Sequence, residues 1–268
     1  MKRVAVVIPI HPPHYEYIYN LLTKTRKHGL HMDIFLVFSS KEHYELFTMK
    51  DDIKPIIAED VNPRAVTTYK KFYALQRLAD SAYDYFIVCD AEIDIVPENL
   101  EERNILEKIE AIFANKVLYG GDVQGNAVAE KIMESCRSAF LEYESILMRY
   151  KAGNLYTWWS DLPVYKREHL GHFFSRIPPL ELLTWENFDH LLYQYYLLVH
   201  HDFHVANITP ATGVRWSLEH LMGGNPAVLT NLEKMGFGFG WITKKNFRTA
   251  PEYFVKQGAF LIYHMDHF

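Results

Sequence analysis

The chain has little cysteine: Cys89 and Cys136 are its two thiols in 268 residues. Two thiols cannot build a disulfide framework, and Cys89 sits inside an apolar run where a buried thiol is the ordinary outcome. A reducing, cytoplasmic setting is therefore expected. There is no basic excess either. A formal net charge of -5 and a pI near 6.3 give no broad positive field, which removes nucleic acid as a general partner. Long hydrophobic runs are missing as well: in the opening MKRVAVVIPIHPPH, Pro9, Pro12 and Pro13 break the apolar stretch before it could form a signal-peptide core or a membrane span. No transmembrane segment is expected, and peripheral membrane association stays open.

Aromatic rings, by contrast, are plentiful. They make up 15% of the chain, with 18 Tyr and 17 Phe, which suits both core packing and ring-lined cavities for sugars. The length is ample for a sizeable core.

Hydrophobic periodicity divides the chain. A β-branched run at 4–10 closed by His11-Pro12-Pro13, helical spacing at Tyr15, Ile18, Tyr19 and Leu22, and an apolar run at 32–38 read as strand, loop, helix, strand. A short helix at 42–47, a minor strand at 55–58, a helix at 67–78 and a buried strand at 85–89 continue the alternation. A helix over 105–113, a strand at 116–119 ended by Gly120-Gly121 and one long helix over 127–150 complete the first half. Strands alternating with helices predict an α/β fold with a parallel, layered sheet. From Lys151 the chain turns aromatic and irregular, with a helix within 186–200 and a glycine-rich stretch at 236–240. No repeat, low-complexity tract or polar linker separates the halves. The expectation is one continuous unit over 1–268, with a Rossmann-like nucleotide-binding part at 1–150 and an elaborated second part at 151–268.

YFIVCDAEIDIV, at 85–96, ends its apolar run with Asp90, Glu92 and Asp94 on alternate positions. Ligands of open α/β sheets sit beyond the carboxyl ends of the strands, and carboxylates two apart on an extended backbone point the same way. Together they would make an oxygen-rich cluster able to hold Mg2+ or Mn2+ against a diphosphate. A solvated acidic turn before Pro97 is the plainer reading of the same residues.

VAVVIPI, KKFYALQRL and YDYFIVCDAEIDIV together resemble the GT-A class of nucleotide-sugar glycosyltransferases. In that class a hydrophobic strand is followed by an Asp-x-Asp motif whose acids bind a metal and help to position the donor ribose. Asp90-Ala91-Glu92 departs from the pattern by one Glu, whose longer stem alters coordination geometry. The resemblance covers roughly the first half of the chain and implies a GT-A-like layered sheet. It implies a nucleotide-diphosphate sugar, UDP-linked, held by the Pro9-Ile10-His11 loop, by Lys71 with Lys70 as its neighbouring candidate, and by Asp90, Ala91 and Glu92. It also implies Mn2+ or Mg2+ on Asp90, Glu92 and, from the terminal FLIYHMDHF, His264, with Asp94 in reserve.

The acceptor side belongs to the second half, 151–268. An inverting transfer needs a carboxylate to take the acceptor hydroxyl proton. TWENFDHLLYQYYLL opens a helix with Glu186 and Asp189 in its first turns, where the macrodipole favours ionised acids. It is similar to the D/E-x-x-L-Y-x-x-Y helix of some bacterial GT-A-like proteins, on which Asp189, Leu192, Tyr193 and Tyr196 fall. Asp189 is the first candidate base and Glu186 the second; the bland alternative is an ordinary capped helix start. Trp158, Trp159 and Asp161 would offer a sugar platform, and Arg215 and Trp216 a groove wall, though such rings more often pack a core. The expected activity is sugar transfer to a saccharide or glycan acceptor. A sugar-phosphate nucleotidyltransferase is disfavoured because the stiff IPIHPPH lies where a glycine-rich phosphate loop would be needed. A non-catalytic sugar-binding protein on the same fold is the third reading. A zinc hydrolase lacks its H-E-x-x-H arrangement at His200, His201 and His204.

Overall fold

The computed structural model describes residues 3–29, 32–95, 102–123, 125, 127–149, 155–156, 163–207, 209–212, 239–241 and 261–263. The first half runs β1 (Val4–Pro9), α1 (Tyr15–Lys27), β2 (Asp33–Phe38), α2 (Lys41–Leu46), β3 (Lys54–Ile57), α3 (Val66–Leu78), β4 (Tyr85–Val88), β5 (Ile93–Ile95), α4 (Glu102–Asn115), β6 (Val117–Asp122), α5 (Ala127–Ser138) and α6 (Glu144–Arg149). The second continues with β7 (Leu155–Tyr156), β8 (Val164–Lys166), α7 (Arg167–Arg176), α8 (Asp189–His200), β9 (His204–Asn207), α9 (Thr209–Thr212), β10 (Phe239–Trp241) and β11 (Leu261–Tyr263).

The central sheet has the order β3-β2-β1-β4-β8, parallel except for β8, which runs antiparallel to β4. Val6 of β1 faces Ile34 on one side and Ile87 on the other. The chain leaves β1 toward β2 and β3 and returns on the opposite flank as β4, so the switch point of the sheet lies between β1 and β4. This is the α/β architecture that the alternating periodicity predicts. Both faces of the sheet are buried, as a continuous apolar run requires. Val4, Val6 and Ile8 pack with Ile18, Leu21 and Leu22 of α1. Ala5 and Val7 point the other way, toward Phe72 and Leu75 of α3 and the α5, α7 and α8 layer.

Two smaller sheets extend this core. β6 is flanked by β7, antiparallel, and β9, parallel, while β5 pairs antiparallel with β11, itself parallel to β10. Among the described residues no helix is long and apolar enough to cross a membrane.

Two expectations are corrected. β6 does not stop at Gly120-Gly121 but continues to Asp122, because Gly120 still pairs with Asn207 of β9 and Gly121 with Tyr156 of β7. The predicted long helix over 127–150 is two helices, α5 and α6, joined by a 3-10 turn at Leu141–Tyr143. At the end of α5 the Ser138 hydroxyl donates to the Ser135 carbonyl (2.6 Å), a local bond that competes with helix continuation.

Helix α8 is apolar on nearly all sides and correspondingly buried, from Leu191 through Leu198. Two of its tyrosines find partners on β8, on α7 and at its own C-cap. Tyr193 Oη accepts the Lys166 N–H (3.0 Å) and meets His169 Nδ1 (2.9 Å), while Tyr196 Oη meets His172 Nδ1 (3.2 Å) and His201 Nε2 (3.0 Å). The His169 and His201 rings stack at 3.8 Å. Burial, reinforced by the charges of His201 and Lys166, pulls His169 down to about 3; burial and His172 pull His200 down to about 4. Both bind a proton more weakly folded than unfolded, so their contribution to stability is complete above about 6.5 and is lost as pH falls to about 4 for His200 and about 3 for His169. Urea-denaturation midpoints should therefore drop across that window, and His200→Phe should drop less.

Candidate active site

Helix α3 delivers Thr68, Lys70 and Lys71 to the carboxyl edge of the sheet. Thr68 Oγ1 donates to the Asn187 carbonyl (3.0 Å), and Lys71, one turn later on the same face, reaches Asp189 Oδ1 (3.0 Å) and Asp90 Oδ1 (2.9 Å). Lys71 and Asp189 have side-chain exposures of 5% and 6%, whereas Asp90 keeps 48%. Tyr165 Oη donates to the other oxygen of Asp189 (3.3 Å). Burial by itself lowers the Lys71 ammonium, but the charges of Asp189 and Asp90 outweigh it and hold the group protonated well above its ordinary value. Asp189 is thus an enclosed carboxylate that fixes Lys71, and Asp90 is the member of the trio that faces outward.

The three acids of YFIVCDAEIDIV each take a different basic partner. After β4 the chain bends at Ala91 and Glu92 before re-entering a strand at Ile93, so the alternation rule for an extended backbone does not apply across Asp90 and Glu92. Asp90 pairs with Lys71, Glu92 Oε1 lies 2.6 Å from His14 Nδ1, and Asp94 pairs with Lys24 of α1 while accepting the Ile95 N–H (2.8 Å). Ala91 is buried between them.

The stretch before α8 is held by its own side chains. Asn187 Oδ1 accepts the Thr184 N–H (2.8 Å), Asn187 Nδ2 donates to Ser135 Oγ (2.9 Å), and Cys136 Sγ donates to the Glu186 carbonyl (3.4 Å). This turn delays the helix to Asp189, so Glu186 precedes α8 rather than occupying its first turn. Glu186, 21% exposed, pairs with Lys131 of α5 (2.7 Å), and Lys131 also lies over the exposed Trp185 ring.

The loop after β1 forms the other wall. Pro9 closes β1, and buried Ile10 donates its N–H to the Val37 carbonyl (3.0 Å). Lys70 Nζ donates to the Ile10 carbonyl (2.6 Å). His11 is exposed, and its ring centroid lies 4.0 Å from that of His14, at the end of a 3-10 turn set by Pro12 and Pro13. Burial, with the charges of His14 and Lys70, lowers His11. His14 escapes sequence reasoning: the HPPH spacing was the available signal, since two prolines at the start of the turn return the second histidine beside the first.

Asp90 and Glu92 are hard oxygen donors, matched in kind to Mg2+ or Mn2+. Among the described residues no group of three or more His, Cys, Asp or Glu is placed to hold a metal ion. The expected third ligand, His264, lies outside the described residues, as do Trp158, Trp159, Asp161, Arg215 and Trp216. Strand β11 ends at Tyr263, paired with Ile93, the residue after Glu92.

No protein-family model matches the chain, and no curated protein matches it. Among solved structures it is similar to S. aureus TarS, at 10% identity and a TM-score of 0.41 over 87% of this chain and 39% of that one. It is also similar to S. aureus TarS 1-349 in complex with UDP-GlcNAc, at 14% identity and 0.38 over 87% and 65%, so the chain spans less than two thirds of each of those proteins' lengths. A third likeness is to the 4-diphosphocytidyl-2C-methyl-D-erythritolsynthase from Anaerococcus prevotii, at 14% identity and 0.29 over 73% of this chain and 98% of that one. TM-scores this low give these likenesses no bearing on the activity of the chain.

The buried Lys71–Asp189 pair has a direct consequence for stability. Lys71→Met strands the Asp189 charge and should cost about 3–5 kcal/mol in urea denaturation, whereas Lys71→Met combined with Asp189→Leu should recover much of that loss.

Proposed function

We propose that the chain is a GT-A-type glycosyltransferase that moves a sugar from a nucleotide-diphosphate donor, UDP-linked, to a saccharide or glycan acceptor. The observation that carries this reading is the ion-paired bridge at the switch point: Lys71 joins Asp90, from the motif that resembles a donor-binding Asp-x-Asp, to Asp189, from the helix that resembles an acceptor-side element. In this reading residues 1–150 hold the donor and 151–268 the acceptor.

The donor nucleotide lies along Pro9, Ile10 and His11. The outward half of Asp90, a carboxylate and therefore an acceptor, takes hydrogen bonds from donor hydroxyls, with Ala91 and Glu92 completing that edge. Lys71 keeps Asp90 aimed, and buried Asp189 keeps Lys71 in place. A divalent cation, Mn2+ or Mg2+, held by Asp90, Glu92 and His264, would supply charge neutralisation for the diphosphate when bound. The base role falls to Glu186 in preference to Asp189, because both Asp189 oxygens are engaged by Lys71 and Tyr165 whereas Glu186 is the more exposed acid. Glu186 takes the acceptor hydroxyl proton as that oxygen attacks the anomeric carbon; the bond to the diphosphate breaks, its electron pair leaves with the diphosphate, and the centre inverts. Trp158, Trp159 and Asp161 belong to the acceptor side.

Two measurements test this reading. A thermal-shift screen of nucleotide sugars with and without Mn2+ should single out one donor; no response in either condition sinks the proposal. With that donor, Glu186→Gln should lower kcat by about 10²–10⁴ while the donor KM stays nearly unchanged, and NMR of the product should show the inverted anomer.

A further inference from the structure

Lys70 and Lys71 are adjacent, yet their surroundings are opposite. Lys71 lies between two carboxylates; Lys70, at 1% relative exposure, has the Ile10 carbonyl as its single hydrogen-bond partner and no acidic side chain in ion-pair range among the described residues. Its contact lies at the carboxyl end of β1, beside the switch point. An ammonium buried without a counter-charge is costly, and a methyl-ended side chain of the same length would fill the space at less cost. Such a group is retained where a charge is needed. The field of Lys70 reaches the loop, since it helps to keep His11 from taking a proton.

We propose that Lys70 is the internal counter-charge for the anionic part of a ligand held at the loop after β1, so that a phosphate-bearing ligand rather than a side chain completes the charge balance there. The phosphate is that of the nucleotide, so the inference rests on the nucleotide reading above. Lys70 acts through the loop that it pins, as a positioning residue whose charge the ligand feels. Burial lowers the ammonium to about 8, and among the described residues no carboxylate opposes that shift. The ionisable group coupled to it from the loop is His11, with His14 from the adjoining turn and His43 from α2 acting in turn on His11. A bound anion favours protonated Lys70, and by linkage deprotonation of Lys70 weakens the anion.

Isothermal titration of UDP and, separately, of inorganic pyrophosphate into the full chain tests this between pH 7.5 and 9. In the wild type the Kd should rise by about tenfold across that range, with proton uptake on binding near pH 8. Lys70→Arg should bind with a flat profile, and Lys70→Met should bind at least tenfold more weakly at pH 7.5. Lys70→Met should also unfold at the wild-type temperature or above it, a result that a purely structural lysine would not produce. A flat wild-type profile, or wild-type affinity in Lys70→Met, overturns the assignment while leaving the nucleotide reading intact. Pyrophosphate binding with the stated pH slope, but no UDP binding, keeps the anion assignment and removes the nucleotide. Binding of neither overturns both.

Discussion

One ammonium holds the carboxyl edge of the central sheet together. Lys71 lies between Asp90, just beyond β4, and Asp189, the first residue of α8, so a single buried charge ties the central helix α3 to both halves of the chain. Two carboxylates converging there without it would repel each other, and Asp189, nearly sealed from solvent, would keep among the described residues the Tyr165 hydroxyl alone. The bridge therefore decides which acid is outward. Asp90 stays half-exposed, while Asp189 becomes part of the support.

Helix α3 is suited to this task because its faces are specialised. Phe72, Leu75 and Leu78 bury against the β1–β2–β4 layer and the α7 and α8 aromatics, with Phe72 edge-on to Phe173 at 5.5 Å between ring centroids. Thr68 and Lys71 form a polar stripe toward the stretch before α8, and Lys70 turns to the β1 loop. Tight packing beneath these groups fixes their rotamers, and that is how a solvent-poor environment can hold charges at hydrogen-bonding distance.

The aromatic richness of the chain serves chiefly as structure where it is described. Tyr165, Tyr193 and Tyr196 are buried, and their hydroxyls are satisfied by Asp189, by the Lys166 N–H and by neighbouring histidines. The tyrosines of the D-x-x-L-Y-x-x-Y pattern thus fasten α8 to α7, which in turn fixes the position of Asp189. Cys89 and Cys136 are buried free thiols, raised well above their ordinary range by burial, and Cys136 uses its hydrogen bond to steady the turn that carries Glu186.

The sequence alone determined the parallel α/β core, because two-residue alternation and the i, i+3, i+4 spacing are local properties that a strand or helix must display to bury a face. It also marked Asp90, Glu92 and the Lys70-Lys71 pair as chemically unusual, since charged residues next to a buried strand need an explanation. Tertiary structure decided what those residues do. The bend at Ala91 and Glu92, the burial of Asp189, the exposure of Glu186 and the His14 to Glu92 contact depend on partners far away in the chain. Lys71 and Asp189 are 118 positions apart, and no periodicity records a contact of that span. Lys70 and Lys71 read identically in sequence; only the fold gives one of them two counter-charges and the other none among the described residues, because neighbouring positions on a helix point about 100° apart into different surroundings.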